Sequence, residues 1–290
     1  MISKEEKEPT TALLIGLSAY VIWGFLPLYL KQMQEVSPWV ITANRILWTI
    51  PWAAGLALVF HGKKYFRINY HTFFMLSLSA FFIGANWTIY AWAVSNNQIM
   101  ETALGYYINP LMNVGLGMLF FGEKLNRIKT LAIFLAALGV LNQIIVAQHF
   151  PVLGLSLAAL FAGYGLVRKK VAVAPAVGLF WESLALAPFA ALGLWFMGQN
   201  GVPVFGASKA DKFWLLLAGP LTAVPLILFA FGARNLRLAT IGMLQYIAPS
   251  IAFCISIFYG EAFGISHAIT FALIWAGLAV YTWDEFRAKN

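Results

Sequence analysis

The chain has 290 residues, of which 61% are hydrophobic and only 10% charged, and it carries a net charge of +8. A soluble domain of this size carries about a quarter charged residues, so the composition excludes an ordinary soluble enzyme. One cysteine, Cys254, excludes an intramolecular disulfide; a lone cysteine in an apolar run is expected as a small buried side chain.

Apolar residues arrive in runs of about twenty, the length that crosses a hydrocarbon core of roughly 30 Å. The runs predict ten helices, at 11–30, 38–60, 71–94, 101–121, 128–147, 151–168, 175–198, 212–233, 238–259 and 265–283. The expected fold is an all-α integral membrane protein. It has a tail at 1–10, a first five-helix unit at 11–147, a second at 151–284 and a tail at 285–290. Residues 11–30 follow a mixed-charge segment and lack a small-residue cleavage site, so they read as the first helix and not as a signal peptide. The longest connection, Gln199 to Asp211, reads as a surface loop. Ten spans leave no room for a soluble catalytic domain.

The two units repeat one another. Gly16-Leu17-Ser18 recurs as Gly154-Leu155-Ser156, Lys31 as Lys169, Gly122-Glu123 as Gly260-Glu261 and Gly139 as Gly277, all at a spacing of 138. Pro51 recurs as Pro188 at 137, and Tyr107-Ile108-x-Pro110 as Tyr246-Ile247-x-Pro249 at 139. A spacing that drifts by only one residue to either side indicates duplication. Five spans is an odd number, so the second unit is expected to insert upside down. Inverted repeats build secondary transporters, with the substrate near the midplane where the repeats meet.

Basic residues orient the chain. With the N-terminus inside, fifteen of the nineteen Lys and Arg fall in inner segments and three in outer loops, while Arg45 lies within a span. That bias follows the positive-inside rule and places both termini in the cytoplasm. It also accounts for the positive charge without a nucleic-acid partner, because the basic residues are spread over separate segments and do not form one patch. The bilayer itself is the expected macromolecular surroundings.

Seven prolines lie well inside the spans: Pro27, Pro51, Pro110, Pro188, Pro220, Pro225 and Pro249. Proline removes a backbone donor and frees a carbonyl, kinking the helix. The repeat mates Pro110 and Pro249 each follow a polar aromatic cluster, which makes them candidate hinges or static kinks. Gly122-Glu123 reads as a helix end followed by an acidic residue near the start of the next helix. Small residues on spans five and ten (Ala132, Ala136, Gly139, Ala272, Ala276 and Gly277) suit close packing or a homodimer contact.

Charges inside a membrane are expensive and usually functional. Arg45 and Glu182 are the only ionisable residues deep in the spans, and each precedes its proline by six positions. They read either as an ion pair locking the repeats together or as groups lining a wet cavity, with Arg45 an anion anchor and Glu182 a cation or proton site. Nearby polar and aromatic residues extend that cavity: Asn86, Trp87 and Tyr90 on span three, Tyr106, Tyr107, Asn109 and Asn113 on four, Gln245 and Tyr246 on nine, and Trp23 on one. Deep tryptophans stack on aromatic or apolar solutes, whereas Trp39, Trp214 and Trp283 fit the interface belts. The histidines fall at span ends or loops, and no HExxH, GxSxG or GxxxxGK[ST] run is present. No enzyme activity, metal or cofactor is expected.

Several of these runs resemble a known family. Tyr20-x-x-Trp23-Gly24-x-x-Pro27-x-Tyr29-x-Lys31, Asn86-Trp87 with Trp92-Ala93-Val94, and Leu104-Gly105-Tyr106-x-Ile108-Asn109-Pro110-Leu111 carry the resemblance. So do Tyr164-Gly165-Leu166-Val167-Arg168-Lys169-Lys170, Val224-Pro225-Leu226, Gln245-Tyr246 with Pro249, and Tyr259-Gly260-Glu261. Together they are similar to the RarD (chloramphenicol-sensitive protein) family, in the EamA group of the drug/metabolite transporter superfamily. The resemblance implies ten helices in two inverted EamA repeats and a bacterial inner-membrane permease. Its expected cargo is a small metabolite or drug-like compound, most simply exported, with import and a non-transporting scaffold or sensor as the rivals. The family pattern places histidine just before the span-two arginine. Asn44 stands there in this chain, so the resemblance carries no proton role to that position.

Overall fold

In the computed structural model, which describes residues 9–96, 98–148, 150–259 and 264–287, every regular element is helical. In chain order they are α1 (Thr10–Gly24), α2 (Leu26–Leu30), a 3-10 turn at Lys31–Met33, α3 (Pro38–His61), a 3-10 turn at Lys63–Phe66, α4 (Tyr70–Ser95), α5 (Ile99–Phe121) and α6 (Arg127–Ala147). The second half holds α7 (Val152–Lys170), α8 (Pro175–Gln199), α9 (Lys209–Asn235), α10 (Leu238–Gln245), α11 (Ile247–Phe258) and α12 (Ile265–Arg287). Among the described residues nine helical segments are long and apolar enough to cross a membrane, the first running from α1 to Met33 and the eighth from α10 into α11. α5, 23 residues long, packs among them.

Local chemistry sets the helix ends. Asn69 and Asn126 accept the Thr72 and Lys129 amides at 2.8 Å each, satisfying donors that the first turns of α4 and α6 leave free. Ser208 and Asp211 form a reciprocal capping box at the start of α9, which shortens the loop expected up to Asp211. Proline opens α3 and α8, where its missing N–H costs nothing.

Two spans are broken, and proline explains both. α1 gives way to α2 at Phe25, two residues before Pro27, and α10 gives way to α11 at Tyr246, three before Pro249. At each break the amide reaches back only three residues, Phe25 to Ile22 at 3.2 Å and Tyr246 to Met243 at 3.3 Å. Pro110, in contrast, sits inside α5, which runs unbroken through it, as α3, α8 and α9 run through their prolines.

The helices pair in a definite pattern: α6 on α12, α3 on α8 and α9, α4 on α7 and α8, α5 on α7 and α10, and α1 on α9 and α11. α6 and α12 meet through glycine. A Cβ on Gly139 would come within 2.9 Å of the Thr270 carbonyl oxygen, and one on Gly277 within 2.6 Å of the Ala132 oxygen. Ala132 and Ala136 are fully buried here, so much of the small-residue stripe is used within the chain. Ala272 and Ala276 point outward and take no part in this packing, because Thr270, Ile274, Gly277 and Tyr281 occupy the packed face.

One end of the bundle collects the 3-10 turn at Lys63–Phe66, the end of α7 and the start of α8, tied by the Trp181 indole donating to the Phe66 carbonyl. The start of α6 and the end of α12 join through the ion pair of Lys129 with Glu285 at 2.9 Å. The opposite end holds α2 and the starts of α3 and α9, and there the Tyr29 hydroxyl of α2 donates to the Trp214 carbonyl of α9. Outward faces carry large apolar side chains such as Phe134, Leu141, Phe189 and Leu192, a surface that would be a liability in water and suits lipid. Cys254 is exposed, contrary to its expected burial.

Candidate functional site

The two charges expected in the interior, Arg45 and Glu182, stand on facing helices and do not pair with each other. Arg45 projects from α3. Its Nε donates to Thr222 Oγ1 on α9 at 3.1 Å, and its guanidinium lies 4.7 Å from the ring centre of Trp87 on α4, a cation–π distance. Tyr29, Tyr90 and Tyr106 are near enough to interact with it electrostatically. The rings of Tyr90 and Tyr106 meet edge to face at 6.4 Å. No described carboxylate is ion-paired with Arg45, and its Nη groups have no hydrogen-bond partner among the described residues.

Glu182, on α8, is enclosed. Arg168 Nη1, at the end of α7, lies 3.3 Å from its Oε1, and both side chains are only 1% exposed. Ser79 Oγ donates to the same oxygen at 2.5 Å, and the Tyr164 hydroxyl reaches Oε2 at 3.5 Å. Arg168 also donates to the Pro175 carbonyl at 3.2 Å. Space for this guanidinium comes from Gly178, where a Cβ would sit 2.0 Å from Nη1. The carboxylate thus joins α4, α7 and α8.

The remaining polar residues form separate joints. Asn113 Nδ2 donates to Gln245 Oε1 at 3.0 Å and lies 3.4 Å from Asn109 Oδ1, fastening α5 to α10. The Tyr246 hydroxyl donates to the Tyr107 carbonyl at 3.2 Å. Asn86 donates to the Leu157 carbonyl at 2.9 Å, tying α4 to α7. Trp23 sits in an aromatic core with Tyr20, Phe161 and Phe229, edge to face with Phe161 at 5.8 Å. Pro110 is buried, its carbonyl 2.5 Å from where a Cβ on Gly242 would stand.

Glu123 does more than follow a helix end. Its carboxylate accepts the Leu238 and Ala239 amides at 2.7 and 3.0 Å, capping α10 and not the next helix, α6. Anions are favoured at such a terminus. Lys169 Nζ lies 3.9 Å from the same carboxylate and donates to the Leu236 carbonyl. This clasp gathers the ends of α5, α7 and α9 and the start of α10. The repeat mate Glu261 lies outside the described residues.

Of the residues expected around one cavity, Arg45, Trp87, Tyr90 and Tyr106 are together. Asn109 and Gln245 form a second group with Asn113, Tyr107 and Tyr246 a third, and Asn86, Glu182 and Trp23 stand apart. Sequence reasoning missed Arg168, Ser79, Tyr164, Thr222 and Tyr29. Tyr164 and Arg168 are four apart on one helix face, a usable signal. The run Arg168-Lys169-Lys170 hid it, because a basic cluster at a span end reads as solvated charge.

A model of the EamA-like transporter family matches residues 10–143. Protein RarD of Escherichia coli is 39% identical over 99% of this chain and 98% of its own length. The chain belongs to the RarD family of EamA-like transporters. An uncharacterized transporter of Vibrio cholerae is 37% identical over 100% of this chain and 97% of its own. A protein crystal structure superposes with a TM-score of 0.77 at 20% identity, covering 94% of this chain and 98% of that one, so the fold is shared with a solved protein. Membership in RarD makes this a multi-pass membrane protein of a transporter family.

Proposed function

We propose that this RarD-family chain is a secondary-active permease of the bacterial inner membrane, exporting small metabolites or drug-like compounds by alternating access. In this reading α5 completes ten spans, and the spans form two inverted five-helix repeats with both termini cytoplasmic. Helix pairing supports the repeat. Shifting each span by five turns α1 on α9 into α7 on α4, α3 on α9 into α8 on α4, and α5 on α7 into α11 on α1, all of which pack. The end holding Lys63, Arg67, Lys169 and Lys170 would face the cytoplasm.

The observation that carries the reading is a difference between two equivalent seams. Met112, Gly115 and Leu116 on α5 correspond, 139 residues on, to Ile251, Cys254 and Ile255 on α11. The first set lines a cavity of about 310 Å³ against α7, with α5 and α7 in backbone contact where a Cβ on Gly105 would stand 3.0 Å from the Gly154 oxygen. Its counterparts line about 560 Å³ between α2, α11 and α12. A seam that is narrower in one unit than in its mate is the asymmetry that alternation between two states of an inverted repeat requires. The Glu123–Lys169 clasp lies on the narrower side, and Tyr246 with Pro249 on the wider one is the natural bending point. Flux of a metabolite panel in both directions across vesicles holding the purified chain tests this. Saturable movement of at least one solute is expected. No movement of any solute above protein-free vesicles would end the permease reading.

A further inference from the structure

The arginine on α3 defines a ligand chemistry. We infer that Arg45 is the anion anchor of a site for planar organic acids, compounds that carry a carboxylate on a flat aromatic or similarly apolar body. The inference rests on the permease reading for its place in a transport cycle, but the geometry behind it is independent of that cycle.

A guanidinium has five N–H donors in a rigid plane. In Arg45 the Nε donor is committed to Thr222 Oγ1 at 3.1 Å, which fixes the plane. The Trp87 ring lies 4.7 Å from the guanidinium carbon and fixes its tilt. The two Nη groups are left, and that pair is the fork that matches the two oxygens of a carboxylate. Among the described residues no acidic side chain occupies it. The comparison inside this same protein is Arg168, whose guanidinium is met by Glu182. A cation of the chain that is held rigidly at membrane depth, without a carboxylate of the chain, is built to receive one from outside.

The surroundings describe the rest of the molecule. Tyr90 and Tyr106, in edge-to-face contact at 6.4 Å, stand near the guanidinium together with the Trp87 ring. Aromatic faces pack on flat apolar groups, and the Tyr90 and Tyr106 hydroxyls, hydrogen-bonded to each other, leave one O–H to donate near the charge. Tyr29 contributes its ring only, because its hydroxyl donates to Trp214. A cationic solute is disfavoured beside Arg45. Glu182, a carboxylate inside the bundle that would attract it, is already paired with Arg168.

Equilibrium dialysis of labelled benzoate and labelled benzamide against the purified full chain tests the inference. The two probes share size and shape and differ in charge. Benzoate should bind saturably and at least about tenfold more tightly, the effect of one charge-assisted hydrogen-bonded contact. Arg45→Gln should abolish that preference, Arg45→Lys should retain only part of it because the planar fork is gone, and Trp87→Leu should weaken benzoate several-fold. Equal binding of the two probes by the wild-type chain would overturn the inference. So would a benzoate preference that survives in Arg45→Gln, or, should that variant not fold, one undiminished in both Arg45→Lys and Trp87→Leu. Failure of the permease reading looks different: benzoate binds through Arg45, yet no solute crosses vesicles. Flux of neutral solutes without any benzoate preference would sink the anion site and leave the permease intact.

Discussion

Arg168 and Arg45 are two interior arginines of one bundle, and the protein treats them in opposite ways. Arg168 is enclosed, 1% exposed, and held by Glu182 and the Pro175 carbonyl. Arg45 keeps one hydrogen bond, to Thr222, and one aromatic face, Trp87. Burial costs a charge several kcal/mol unless a partner with good geometry offsets it. Arg168 meets that condition within the chain through both Nη groups, its Nε alone lacking a partner among the described residues, so its cluster is a structural joint between α7 and α8. Arg45 does not meet it with protein atoms, and a membrane arginine that lacks a carboxylate partner is a functional group by default. The charged site and the charged joint are therefore told apart by their partners and not by their depth.

The largest effect should come from breaking the joint. Glu182→Gln leaves Arg168 buried beside a neutral amide, and removal of one partner from a buried pair costs about 3–5 kcal/mol. Thermal unfolding in detergent should show a pronounced loss of stability. Replacing both residues with apolar ones, Arg168→Met with Glu182→Leu, should restore most of it, whereas adding Arg45→Gln to Glu182→Gln should restore none. Rescue by the Arg45 substitution would mean that Arg45 and Glu182 are coupled after all, and the contrast between the two arginines would collapse.

Next in size is Gly178→Ala. The added methyl would lie 2.0 Å from Arg168 Nη1, so the guanidinium must leave its place beside Glu182 or α8 must shift. Overpacking of this kind costs about 1–3 kcal/mol. A melting temperature equal to that of the wild type would show that the arginine has room to move, and that the joint is looser than its burial implies.

For Arg45→Gln the expectation is reversed. Stability should change by less than about 1 kcal/mol, since the interaction lost is one hydrogen bond and a stacked face, while the cost of an unpaired charge disappears. Transport should fall at least about tenfold, as expected when a charge-assisted contact to the solute is removed. A large loss of stability with transport per folded molecule unchanged would assign Arg45 to the frame.

Much of this contrast was legible in the sequence, and the rest was hidden for physical reasons. Hydrophobic run length placed the helices, because a membrane span must satisfy its backbone within itself. The cost of charge singled out Arg45 and Glu182. What the sequence could not state was pairing. Glu182 and Arg168 are only fourteen residues apart but belong to different helices, and their meeting depends on Gly178, whose lack of a side chain leaves no periodic signal. Glu123 gives a similar lesson: it follows α5 in sequence, yet caps α10, 115 residues away. The break at Tyr246 was foreshadowed by Pro249, whereas its mate Pro110 sits in an unbroken helix, because neighbouring helices decide whether a proline kink opens.

The smallest effect is the most discriminating, because it touches neither charge. Thr222→Val removes the hydroxyl that accepts from Arg45 Nε at 3.1 Å while nearly conserving volume. A hydrogen bond to a charged group contributes about 1.5–3 kcal/mol, but part of that returns when the arginine head finds water, so stability should fall by less than it does at the enclosed Glu182. The guanidinium, however, loses the contact that sets its plane and should sample several orientations over Trp87. Transport should then drop a few-fold, through weaker apparent affinity for the solute and not through fewer folded molecules. The matching change on the other cluster, Ser79→Ala, removes a hydroxyl that donates to buried Glu182. That change should lower stability by about 1.5–3 kcal/mol, the range for hydrogen bonds to a charged group, and leave the affinity of the remaining folded protein alone. If melting temperature and solute affinity respond in the same way to both hydroxyl deletions, the two arginines do the same job and the division between joint and site is wrong.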